Sequence, residues 1–177
     1  MRTLEGKLVA QLSQNMNFIM DLSVKEFLEM HAQSRMIENS VEVIERIMQS
    51  ANDLAGERFS PDTPVTGLSG GQSRALMIAD TAILSASPIV LIDEIENAGI
   101  DKEKAFALLL SKEKLVMIVT HDPHTAFMAK QRIVMEAGAI KQVIQRSRTE
   151  EETFHQLSKE YRKQKNLQDA IRNGACF

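Results

Sequence analysis

Two apolar runs constrain this chain more than any other feature. Ile89-Val90-Leu91-Ile92 ends in Asp93-Glu94, and Leu115-Val116-Met117-Ile118-Val119 ends in Thr120-His121-Asp122. Short continuous apolar runs of this kind, bounded by turn and charged residues, read as strands with apolar side chains on both faces. Helical patterns lie around and between them: Ser73 to Ser85, Asp101 to Leu110 and Pro123 to Lys130. Strands alternating with helices predict an α/β fold with a mostly parallel sheet buried on both faces.

Composition agrees with a folded domain. The chain has 177 residues, 44% hydrophobic and 25% charged, with a net charge of -3. Apolar residues are neither scarce nor clustered, which excludes a disordered tail. Its single cysteine, Cys176, excludes a disulfide scaffold. The apolar runs fall far short of the ~20 residues of a spanning helix. Met1 to Lys7 lacks the apolar stretch of a secretory signal, so the cytoplasm is the expected compartment. Mild acidity gives no electrostatic drive toward nucleic acid.

The first half reads as more helical and is expected to form a subdomain. Residues 7–13 form a weak strand pattern. Ser23-Val24-Lys25-Glu26 is a capping box that opens a helix to about Arg35. A second helix is predicted from Asn39 to about Ala55, with Val41, Ile44, Ile47, Met48, Ala51 and Leu54 on one face. Residues 132–136 and 139–145 read as a strand pair around Gly138. From Thr149 to Arg172, a second capping box (Thr149, Glu152) opens a helix with a loose stripe of Phe154, Leu157, Tyr161, Leu167 and Ile171.

Three places carry chemistry. Leu68-Ser69-Gly70-Gly71-Gln72 stands at a helix start, where backbone donors and the helix dipole favour an anion such as phosphate. The same pentapeptide also fits an ordinary turn. Asp93 ends a strand where open α/β sheets bind ligands, and its carboxylate could hold Mg²⁺ through water. Glu94 could orient or deprotonate an attacking water, or the pair could simply be a strand followed by an acidic cap. His121 could touch a phosphoryl oxygen or serve as a structural histidine.

The order of these elements resembles the ATP-binding cassette (ABC) ATPases, a P-loop NTPase-like fold with a helical subdomain. Leu68 to Gln72 is identical to that family's signature motif. Ile89 to Asp93 resembles its Walker B strand, Glu94 its catalytic glutamate, Ala98-Gly99-Ile100-Asp101 its D-loop and His121 its switch histidine. Ser13 to Phe18 with Leu22 to Glu26 resembles the Q-loop and its entry into the helical subdomain, making Gln14 the Q-loop glutamine. The resemblance covers residues 8–145 in one register.

It implies an ATP sandwich between two cassettes. Ser69, Gly70, Gly71 and Gln72 would face the γ-phosphate of ATP held by the opposite subunit. Asp93 and Gln14 would lie near Mg²⁺ and the attacking water, Glu94 would polarise that water, and His121 would contact the γ-phosphate. Segment 14–67 is where transporter cassettes meet their membrane subunits, which implies a cytoplasmic protein peripheral at the inner membrane face. The implied organisation is 1–13 as the end of an N-terminal lobe, 14–67 as Q-loop and helical subdomain, 68–145 as α/β core and 146–177 as a helical tail.

The largest departure is that no Gly-x-x-x-x-Gly-Lys-Ser/Thr occurs; Gly6-Lys7 is followed by Leu8 and is not a P-loop. The backbone cradle and lysine for the β- and γ-phosphates are therefore not in these residues. The chain thus looks like a cassette beginning just before its Q-loop, with the N-terminal lobe missing. Ile95-Glu96-Asn97 replaces the family's Pro-Thr-containing run, Asp80 stands where Arg or Gln is common, and the interval from Asp101 to His121 is short. The expected function is the energy-coupling ATPase of a transporter, using ATP and Mg²⁺, paired with a second ABC ATPase subunit as homo- or heterodimer. Two alternatives are a non-transport ABC-like ATPase, of DNA-repair or overcoming-lysogenisation-defect type, and a non-hydrolysing module lending its signature in trans.

Overall fold

The computed structural model describes residues 7–13, 18–95, 99–172 and 174–175. It divides into two compact units, residues 1–119 and 120–177. In the first, β1 (Val9–Leu12), β2 (Ile89–Asp93) and β3 (Leu115–Val119) form a sheet in the order β1-β2-β3. Both pairings are parallel, with Val9 beside Ile89, Ile89 beside Leu115 and Asp93 beside Val119. Connections between parallel neighbours need a long crossover. The one between β1 and β2 carries α1 (Val24–Ser34), α2 (Ser40–Leu54), a 3₁₀ turn (Val65–Gly67) and α3 (Gly70–Ile83); α4 (Lys102–Leu110) joins β2 to β3.

The helical part packs for reasons visible in its sequence. Ser23 caps α1: its side chain accepts from the Glu26 amide, and the Glu26 carboxylate accepts from the Ser23 amide. The Ser23 amide and the Ser23 hydroxyl both donate to the Glu26 carboxylate and hold its carboxyl below the usual range. Leu28 from α1, Ile47 from α2 and Leu76 from α3 are fully buried in one cluster. Each such side chain contributes about 1.5–3 kcal/mol relative to exposure. The predicted face of α2 holds, except that Val41 at its first turn is exposed.

The sheet departs from the expectation of burial on both faces. Val90, Ile92 and Leu12 are buried on one face, with α3 and α4 against the sheet. On the other face the register aligns Ile89, Leu91 and Asp93 with Leu115, Met117 and Val119. Leu115 is 59% exposed and Val119 69%. A continuous apolar run therefore marked a strand correctly without fixing what covers its second face.

Lys114 joins the end of α3 to the start of β3. Its Nζ donates to the carbonyls of Ser85 at 2.7 Å and Ser87 at 2.9 Å. Burial pushes its pKa below the ordinary lysine value, and the nearby Arg35 charge pushes the same way. Lys114→Met removes both donors and leaves the carbonyls behind. It is expected to lower the unfolding free energy by about 1–3 kcal/mol, read from a urea titration. An unchanged midpoint would show that Lys114 is not a structural tie.

The second unit holds α5 (Pro123–Met128), the hairpin β4 (Gln131–Glu136) and β5 (Ala139–Gln145), and α6 (Arg148–Arg172). Ala137 and Gly138 both have positive φ, 49° and 79°, as a tight hairpin turn requires. The capping box of α6 is Ser147 with Glu150, not Thr149 with Glu152. Glu150 also pairs with Arg132, which fixes the choice between two neighbouring candidates. His124 stacks on Tyr161 at 4.5 Å and on Phe154 at 5.6 Å, with its Nε2 3.1 Å from Ser158 Oγ. The stripe on α6 thus packs in its first half, while Leu167 and Ile171 are exposed.

Candidate functional site at the signature helix and strand ends

The helix expected from Ser73 begins three residues earlier, at Gly70. Ser69 is its N-cap: Ser69 Oγ accepts from the Gln72 amide at 3.3 Å, and Gln72 Oε1 accepts from the Ser69 amide at 2.9 Å. The Leu-Ser-Gly-Gly-Gln run therefore contains a complete capping box, which makes Gly70 and Gly71 the first turn of the helix. Ser69 and Gly70 are exposed and Gly71 and Gln72 half-buried. Backbone donors in an exposed first turn, with the positive end of the helix dipole, suit an anion.

Neighbouring segments are tied to this start. Gln72 Nε2 donates to the Glu57 carbonyl at 3.4 Å. A Cβ on Gly99 would lie 3.9 Å from Gly71 Cα, and Gly99 has φ +63°, so the backbone at Gly99 runs close to Gly71. The Asp101 amide donates to the Leu54 carbonyl at 3.0 Å, and its carboxylate accepts from the Lys104 amide at 3.1 Å, capping α4.

Asp93 closes β2, half-buried, on the open face of the sheet. Glu94 follows with φ +48°, a left-handed conformation costly for a non-glycine residue. Its amide donates to the Val119 carbonyl at 3.0 Å. The structure thus brings Asp93 and Glu94 to the C-terminal end of the parallel sheet, where such sheets bind ligands. His121 lies in the second unit, exposed, in the loop ahead of α5. Gln14 and Ala98 lie outside the described residues.

Two features were not read from the sequence. Arg74 is 4% exposed and reaches backbone at the ends of two strands. Its signal was a charged residue among Ala75, Leu76, Ile78 and Ala79 on a buried helix. Asp80, 2% exposed, sits 2.8 Å from His31 Nδ1. The departure at position 80 thus has a local partner, contributed by α1.

A hard cation would find one suitable oxygen donor at Asp93. Among the described residues no group of three or more His, Cys, Asp or Glu gathers as a cage. Water and phosphate oxygens would have to complete the shell, as is common for Mg²⁺ beside nucleotides.

No protein-family profile matches the chain. Its fold is that of ABC ATPase domains. The ATP-binding subunit of an ABC transporter superposes with a TM-score of 0.61 at 20% identity, over 78% of this chain and 59% of that one. A dimeric, post-hydrolysis ATP-binding cassette bound to ADP and Pi gives 0.57 at 22% identity, over 78% and 63%. An uncharacterized ABC transporter ATP-binding protein of Methanocaldococcus jannaschii is 46% identical over 166 residues, 94% of this chain and 63% of that protein. An ABC transporter A family member 5 of Dictyostelium discoideum is 34% identical over 56% of this chain and 6% of its own length. The chain is thus similar in sequence to an ABC transporter ATP-binding protein and in fold to ABC ATPase domains. It spans less than two thirds of each of these relatives.

Proposed function

We propose that the chain is the ATP-binding and ATP-hydrolysing part of an ABC-type transport system, completed by a P-loop from outside these 177 residues. The observation that carries this reading is the start of α3, an exposed, capped helix N-terminus with the family's full signature sequence. The 46% identity to an ABC transporter ATP-binding protein favours transport over repair.

In this reading Ser69, Gly70, Gly71 and Gln72 bind the phosphates of ATP held by a second ABC ATPase subunit. The dimeric structural neighbour supports that arrangement. Glu94 accepts a proton from the attacking water, Gln14 lines the same water, and His121 holds a phosphoryl oxygen. Asp101 positions the D-loop between subunits. Asp93 and Gln14 would hold Mg²⁺, which would neutralise developing phosphate charge. Segment 14–67 would meet a membrane subunit, placing the protein at the inner membrane face. No described helix is long and apolar enough to cross a membrane.

Titration calorimetry on the 177-residue chain is expected to show weak or undetectable MgATP binding. Micromolar affinity would overturn the need for an external P-loop. The chain joined to the part of the M. jannaschii relative that it does not span is expected to hydrolyse ATP. A folded chimera that binds MgATP without turnover would overturn the hydrolytic reading and favour a module lending its signature in trans.

A further inference from the structure

We propose that Arg74 is a positioning residue that clamps the backbone of Glu94 to the signature helix. This rests on the reading of Glu94 as the group that activates water. Arg74 lies just over a turn into α3 from the Ser69 cap and is 4% exposed. Its Nη1 donates to the Glu94 carbonyl at 2.9 Å. Its Nη2 donates to the Ser13 carbonyl at 2.9 Å and to the Asp93 carbonyl at 3.3 Å. One guanidinium therefore joins the signature helix, the end of β2 and the residue before Gln14.

The conformation of Glu94 shows what the clamp is for. A left-handed glutamate persists only where its surroundings over-determine it. Here the peptide on each side of Glu94 is held. Its amide donates to Val119 across the sheet, and its carbonyl accepts from Arg74. With φ set at +48°, the side chain leaves the strand in a direction that an extended residue would not give it. The planar fork of Arg reaches separate carbonyls at once, which a single lysine ammonium cannot do in the same geometry. Because α3 is a rigid element, the placement of Ser69 to Gln72 and of the Glu94 backbone are linked through this side chain.

The test compares the wild-type chain with Arg74→Met and Arg74→Lys by amide hydrogen exchange. In Arg74→Met the Glu94 amide is expected to exchange at least about 10-fold faster while α2 amides keep their protection, because local opening is uncoupled from global unfolding. Arg74→Lys should restore part of that protection. An unchanged Glu94 amide overturns the proposal, as does an equal loss of protection in α2, which would make Arg74 a general stabiliser. If Arg74→Met fails to fold, Arg74→Lys decides on the same two criteria. In the ATP-hydrolysing chimera, Arg74→Met should lower kcat about 100-fold with KM for ATP nearly unchanged, as misplacement of a catalytic group does. Unchanged kcat overturns the proposal. A wild-type chimera without turnover counts against the proposed function alone, and the exchange comparison still decides the clamp.

Discussion

Glu94→Gln, introduced into the chimera that carries a P-loop, is expected to cut ATP turnover by about 10²–10⁴-fold, the usual contribution of a positioned general base. MgATP binding should persist. Gln keeps the size of Glu and its capacity to accept a hydrogen bond, yet cannot take a proton from water at neutral pH. It also occupies the same backbone, where φ is +48° and both flanking peptide groups are tied. Phosphate release measured beside calorimetric ATP binding separates the two effects. Wild-type turnover in this variant would remove Glu94 from the proposed chemistry.

The second large effect concerns stability. Asp80 sits on α3 with 2% exposure, and His31 Nδ1 of α1 lies 2.8 Å from its Oδ1. His31→Ala would leave a buried carboxyl group without that partner. It should lower the unfolding free energy by about 2–3 kcal/mol. Asp80→Ala should also destabilise, while the double variant should lose much less than the sum, a coupling that a double-mutant cycle reads directly. A loss below about 0.5 kcal/mol in His31→Ala would show that the pair contributes nothing measurable.

Local signals were legible. The Ser23 box, the apolar face of α2, the two strand runs and the hairpin around Gly138 each carry their pattern within a few residues. Boundaries slipped where two local readings competed. The paired glycines read as lying just ahead of a helix from Ser73, yet the reciprocal bonds of Ser69 and Gln72 begin the helix at Gly70. Ser147 displaced Thr149 as the cap of α6 because Glu150 also meets Arg132. Ties across long stretches of chain were not legible. Arg74 reaches Ser13, and Lys114 reaches Ser85, through contacts that no periodicity encodes. The second face of β3 escaped for the same reason, since side-chain polarity does not say which segment packs against it.

The capping box at Ser69 also bears on the entropy of ligand binding. A serine hydroxyl can accept a hydrogen bond from an amide and still donate its own hydrogen elsewhere. Ser69 Oγ uses its acceptor capacity on the Gln72 amide. Its hydrogen can therefore turn to a phosphate oxygen without undoing the helix start. In the proposed reading the first turn is ordered before a nucleotide arrives, so little conformational freedom is lost on contact. If this helix start binds a phosphate as proposed, its donors are already in place and contact needs no local refolding.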